Sequence, residues 1–429
     1  MHRIGMNSCA ARGCHGAVDS ADPSRGNVYI KGGAYTTWLN FDPHASAYDV
    51  LLESRSVGIA EKLKGPLGGK PAHEVDLCLS CHATVSPPEA IRADVAHIKD
   101  GISCEACHGP AEVWQDKHLD AAWRAKPAEA KALDGMADLS TPRARAKECA
   151  SCHVGKRSRG MDMNHDLIAA GHPRLNFEFA SYQAIYPKHW KEKPGAPADF
   201  EAKSWAVGQV VTAQAVLELL AARALGSKEG AARKAPAPDA IWPEFSEYEC
   251  FACHHGLVNP SPLQTPGHIQ SKPGRLPWAT WPSTMLPELA KGRKGVDLDA
   301  ADSPWAGLRA EMARGMPDAD RVADLASKSV RQFDALLDAL EKDSFKADRI
   351  ASLLKEWAAR PPSASESWDR AAQHYLALSS LARAAKDLKV PIGPEVEEAL
   401  RTGSKVLEFP PKYDSPRNIS PKAVPIPKP

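Results

Sequence analysis

The ten cysteines of this 429-residue chain fall into five pairs, and histidine follows the second cysteine of every pair. Four pairs read Cys-x-x-Cys-His: Cys78-Leu-Ser-Cys81-His82, Cys104-Glu-Ala-Cys107-His108, Cys149-Ala-Ser-Cys152-His153 and Cys250-Phe-Ala-Cys253-His254. The fifth, Cys9-Ala-Ala-Arg-Gly-Cys14-His15, has four residues between its sulfurs. Two thiols so placed add to the two vinyl groups of one haem, while the adjacent imidazole reaches the iron from the same side. Small residues in the spacer let the chain turn tightly under the macrocycle, and Ala10, Ala11 and Gly13 serve this purpose in the longer spacer. Five covalently bound haem c groups are therefore expected, with His15, His82, His108, His153 and His254 as the proximal iron ligands. A chain carrying them must fold around five large apolar discs.

Two other uses of paired cysteines explain less. Four-cysteine zinc sites consume pairs two at a time, which leaves one of five unmatched, and zinc gives no reason for a histidine after each pair. A disulfide across a two-residue gap is usually a redox device, and five in one chain would be unusual.

Eleven of the sixteen histidines remain. A haem that only carries electrons is best held by a strong ligand on both faces, which keeps the iron low-spin and limits rearrangement on reduction. Five contexts point to such distal ligands. His44 precedes a predicted helix, and His118 follows His108 closely enough to cover a neighbouring haem. His165 and His172 bracket Asp166 to Gly171 and can serve two different irons, and His255 points away from the haem of His254. His73, His97, His189 and His268 have less distinctive surroundings, and His2 and His374 the least. Met161 and Met163 are alternative ligands without a distinctive context.

The run Gly101-Ile-Ser-Cys-Glu-Ala-Cys-His-Gly-Pro110, with Pro43-His-Ala-Ser-Ala47 upstream and Asp116-Lys-His118 downstream, resembles the cytochrome c-554 family of nitrifying bacteria and its multihaem relatives. The resemblance covers about residues 1 to 180. It implies haems stacked in close pairs, a periplasmic setting, and passage of electrons between a nitrogen-oxidising or other multihaem enzyme and the respiratory chain. It also implies four haems, one of them with an open face, at the motif that here is Cys78, Cys81 and His82. The chain departs from that pattern in its fifth motif, its longer first spacer, and His73 close to the second motif, which leaves the open face undecided.

Net charge is +1, so composition supplies no argument for nucleic acid or an anionic membrane, and redox proteins are the expected partners. The most apolar stretch, Trp205 to Leu225, contains Gln209, Gln214, Glu218 and Arg223 and reads as an amphipathic helix, not a membrane span. No basic segment followed by an apolar one precedes Cys9. The chain is therefore expected to be a processed form, or to have an altered start, of an exported periplasmic or extracellular protein.

The expected fold is mainly α with much irregular loop structure. A multihaem cytochrome c region organised around stacked haems occupies residues 1 to 260 and includes a long helix at about 204 to 225, capped by Ser204 and stopped at Gly226. A Pro-rich connector follows at 261 to 302, then a helical region at 303 to 408 and an extended tail at 409 to 429. In the helical region, apolar residues from Val322 to Leu340, Ile350 to Trp357 and Tyr375 to Leu381 recur at helical spacing, which predicts three or four antiparallel helices.

The leading functional expectation is electron transfer between periplasmic redox partners without substrate chemistry. One alternative is an oxidoreductase acting on a small nitrogen or sulfur compound at one five-coordinate haem, with Arg174 or a surplus histidine assisting. No motif has lysine in place of its proximal histidine, as pentahaem nitrite reductases do. The other alternative is a subunit of a larger conductive assembly or oligomer, with the helical region making the contact.

Overall fold

The computed structural model describes residues 1–18, 29–85, 98–190, 197–232, 241–250, 253–254, 275–293, 296–360 and 367–408. Among these residues the chain is helical and irregular, without a strand. Isolated bridges join Lys156 with Met161 and Tyr248 with Trp278. The mainly α expectation is met.

Three of the cysteine motifs lie at the C-terminal ends of short helices, Asp76–His82, Cys104–His108 and Pro142–His153, each of which stops at its histidine. Residues at i, i+3 and i+4 share one face of a helix, so the two sulfurs and the imidazole point the same way. The helix Pro142–His153 starts with proline in its first turn, and the Thr141 hydroxyl accepts from Ala144 N–H at its N-terminus (3.2 Å).

Before residue 146 the buried apolar residues form only small clusters. One comprises Tyr48, Leu51, Ala60, Ala72, Leu79 and Ala83, and another Ile4, Ala111, Trp114 and Trp123. Short segments with so little mutual burial need something else to pack on.

The large core begins at Ala146 and extends to Val396. Its axis is the helix Phe200–Ala232, which packs on Ala319–Lys342, Pro142–His153, Trp368–Asp387 and Phe179–Ile185. This helix is apolar on nearly every face because nearly every face is covered, as expected for a core helix. It is long and apolar enough to cross a membrane, yet 78% of its most apolar window is buried inside the protein. Three of its polar residues have protein partners: Gln209 donates to Gln373, Gln214 donates to the Val330 carbonyl, and Arg223 pairs with Asp162 and Glu247.

The helix begins before Ser204 and continues past Gly226, so neither residue is the expected cap. Gly226 has a different task. A Cβ there would lie 2.2 Å from an Arg157 guanidinium nitrogen, so glycine admits the close approach while the alanine-rich backbone stays helical.

Among the described residues the C-terminal part contains five helices instead of three or four: Pro304–Met312, Ala319–Lys342, Ala347–Ala358, Trp368–Asp387 and Pro394–Leu407. The first is only nine residues long, too short to show a repeating apolar stripe. Side chains of Ser303, Asp318 and Ser367 cap the first, second and fourth. Phe333 is fully buried beside Trp305. Phe333→Ala is expected to lower unfolding stability by about 3–5 kcal/mol, read by denaturant titration followed by far-UV circular dichroism. An unchanged midpoint would contradict this packing.

Candidate metal centres

Each of the five motif histidines faces one histidine from elsewhere in the chain. His15 faces His118 with ring centres 6.1 Å apart, His82 faces His172 at 6.3 Å, His108 faces His189 at 6.3 Å, His153 faces His44 at 5.9 Å, and His254 faces His165 at 6.2 Å. An imidazole nitrogen sits about 2.0–2.1 Å from a bound metal and roughly 1.2 Å from its own ring centre, so two imidazoles on opposite sides of one ion have centres about 6.4 Å apart. All five separations are close to that value.

The other ring nitrogen is held in three of the five partner rings and in one motif ring. Nδ1 of His44 lies 2.8 Å from Asp42 Oδ1, that of His82 lies 2.9 Å from the Ala47 carbonyl, that of His172 lies 2.8 Å from the Pro173 carbonyl, and that of His118 meets the Gln115 carbonyl. Such contacts fix the tautomer, turn Nε2 toward the opposing ring and increase its basicity as a ligand. Burial also favours the neutral, metal-binding form of the motif rings. Desolvation, aided by the facing histidine, pushes His108 and His153 down to about 4 and lowers His15 and His82 as well.

The loop carrying His44 illustrates how such a ring is placed. Asp42 caps the short turn Pro43–Ser46, and its carboxylate accepts from His44 N–H and from the Tyr186 hydroxyl (2.6 Å). Burial works against the carboxylate, yet these hydrogen bonds and the His44 charge hold Asp42 below its ordinary range. Gly101, at φ +64°, sits where a Cβ would lie 2.5 Å from the His44 carbonyl, and that carbonyl accepts from Ile102 N–H. Two residues of the Gly101 to Pro110 run thus clasp the loop. Glu105 of the same run is buried and accepts from the backbone N–H groups of Ile4, Gly5 and Ala111, tying the N-terminus to the third motif.

Four of the five expected distal residues, His44, His118, His165 and His172, face a motif ring. His255 lies outside the described residues, as do His97 and His268. His189 was ranked among the residues without distinctive surroundings, yet it faces His108. Its ring is buried between Tyr186 and Trp190, and that aromatic flank in Tyr186-Pro-Lys-His189-Trp190 is the signal the sequence offered. His73 contacts Tyr48 and Glu74 and faces no motif ring. The Met161 sulfur lies 3.8 Å from the Cys152 thiol, on the attachment side.

The ten cysteines are unbonded to one another. Among the described residues no three metal-binding side chains converge, so a protein-only zinc cage finds no donors, whereas a porphyrin needs only two axial imidazoles from the chain. The sulfurs also show which motifs are neighbours in space. The thiols of Cys9 and Cys104 are close enough to share a hydrogen bond, as are those of Cys81 and Cys152. Cys107 is within electrostatic reach of Cys149 and Cys152. Arg174, two residues after His172, is within electrostatic reach of Cys250. These proximities put the His108 motif beside those of His15 and His153, and the His82 motif beside that of His153, while Cys14 and Cys253 are the exposed cysteines.

Residues 12–109 match the model of the family described as cytochrome c554 and c-prime. The match covers less than a quarter of the chain, includes the second and third motifs whole, and ends one residue after His108. It supports a cytochrome c family, covalently bound haem c and electron transfer for this chain, and members of that family are usually periplasmic or extracellular. Neither the curated proteins nor the solved structures give a match.

The ring planes divide the pairs into two classes. They are near parallel at His15 with His118 (16°) and His165 with His254 (27°), and steeply inclined at the other three (69° to 81°). Mutual ring orientation sets the splitting of the iron d orbitals. Paramagnetic resonance of the oxidised protein is therefore expected to contain two rhombic low-spin signals and three strongly anisotropic ones. Five signals of one class would contradict the geometry.

Proposed function

We propose that the chain is a pentahaem electron carrier in which every iron is held by two histidines, the pairs being those that face each other. The observation that carries this reading is that each of five motif histidines meets a second imidazole at one common separation. When bound, each haem c supplies a reversible one-electron iron couple. The chain's residues fix the group through two sulfurs, orient four of the axial rings by their Nδ1 contacts, and favour the neutral form of His15, His82, His108 and His153 by burial.

With both faces supplied at all five sites, small molecules have no free coordination position, which favours a carrier over an oxidoreductase. The arrangement of thiols supports exchange between the neighbouring sites of His15 and His108, His108 and His153, and His153 and His82. The sites of His15 and His254 carry the exposed cysteines, so redox partners of this exported protein meet it there. Haem-binding enzymes or other cytochromes are the fitting class of partner. The near-balance of charge makes local surface, not overall attraction, the basis of their choice.

The test is ligand access. Dithionite-reduced protein mixed with carbon monoxide is expected to keep an unchanged absorption spectrum, to leave nitrite, hydroxylamine and sulfite untouched, and to reduce an acceptor cytochrome c. A carbon monoxide adduct at any haem, or turnover of one of those compounds, would overturn the carrier reading.

A further inference from the structure

His172 is a partner ring held outside any helix. It stands directly after the helix His165–Ala170, in a stretch to Glu178 that has no regular structure. Close to His172, its N–H donates to the Leu167 carbonyl and its Nδ1 meets the Pro173 carbonyl, while the side chain of Lys62, 108 residues away, donates to the Ala170 carbonyl.

Further support comes from Trp281 and from the C-terminal helix Trp368–Asp387, whose Asp369 lies 195 residues from Arg174. Both terminal nitrogens of Arg174 donate to Asp369, at 2.9 and 2.8 Å, and Asp369 is buried in the first turn of the helix Trp368–Asp387. Trp281 Nε1 donates to the Phe177 carbonyl at 2.9 Å, and the Trp281 ring stacks at 9° on Trp368, the neighbour of Asp369. A planar guanidinium on a carboxylate fixes direction as well as distance. The two anchors therefore hold both ends of the segment Arg174 to Phe177 from the same helix end.

We infer that the C-terminal helices act as a clamp that keeps His172 on the His82 site, with Asp369 and Trp281 as positioning residues. This rests on the pentahaem reading. Releasing the clamp leaves His172 free to leave, which converts one site of five to a single axial histidine and opens a face to small ligands. The helical region thereby decides whether the chain is a closed carrier or one with a ligand-binding haem.

Asp369→Asn keeps the side-chain shape and removes the charge that orients Arg174, and Trp281→Phe removes the hydrogen bond to Phe177 and shrinks the ring stacked on Trp368. His172→Ala supplies the reference spectrum of the opened site. Both clamp variants are expected to retain five haems by mass. Each should show the high-spin signal of His172→Ala, raised at least about tenfold over the wild type, and should bind carbon monoxide at one haem when reduced.

Asp343→Ala breaks the ion pairs of Asp343 with Arg293 and Arg349 in the same helical region, far from this segment, and is expected to leave the spectrum unchanged. If Asp369→Asn and Trp281→Phe stay fully low-spin, the clamp is refuted and the pentahaem reading stands. If Asp343→Ala opens the site equally, general loosening and not the clamp is responsible, and the inference fails. A wild type that already binds carbon monoxide, or lacks the pigments, overturns the underlying reading instead.

Discussion

An imidazole that follows two anchoring sulfurs has little freedom, because a single helical turn fixes all three side chains relative to one another. The rest of the N-terminal half is built to bring a second imidazole to the opposite side at about the separation of two ligands on one metal. That requirement accounts for features that otherwise look unrelated. They include the Asp42 cap under His44, the Gly101 backbone pressed on the His44 carbonyl, and the buried Glu105 carboxylate that gathers the N-H groups of Ile4, Gly5 and Ala111. In each, backbone polar groups are satisfied inside loops that have almost no apolar core of their own.

The two halves of the chain solve the packing problem differently. Up to residue 145 the buried apolar residues form scattered clusters of three to six, and a large flat cofactor is the natural filling between them. From Ala146 onward, a large core built on Phe200–Ala232 does most of the same work with side chains, beside a smaller cluster at Trp281, Trp368 and Ala372. The two schemes meet at the Arg174 to Phe177 segment and at Arg223. Arg223 joins the central helix to Asp162 and Glu247, flanking the fifth motif. Ion pairs buried at such a junction add direction more than net stability.

Local chemistry was legible in the sequence and tertiary pairing was not. Cysteine and histidine within six residues of one another are brought together by the chain itself, so all five Cys-Cys-His groupings could be read directly. The facing rings come from distant segments, and no spacing encodes that His44 meets His153 or that His189 meets His108. His44, His118, His165 and His172 stood out because turn-forming or acidic neighbours flank them, whereas His189 is held by aromatic packing, which leaves no polar mark. Helical periodicity identified the three long C-terminal helices, but it missed the short Pro304–Met312 and placed the ends of Phe200–Ala232 too far inward. Gly226 looked like a stop and is instead a point of close contact with Arg157, a distinction that only the packed structure contains.

Everything proposed for this chain depends on thioether bonds at five pairs of sulfurs, two of them beyond the stretch that matches a known family model. The most direct measurement is the intact mass of protein purified from a host that attaches haem to exported chains, taken under denaturing conditions without cleavage of thioethers. The account predicts a mass equal to the polypeptide plus five haem groups. A mass equal to the bare polypeptide, or to it plus fewer than five, would contradict it.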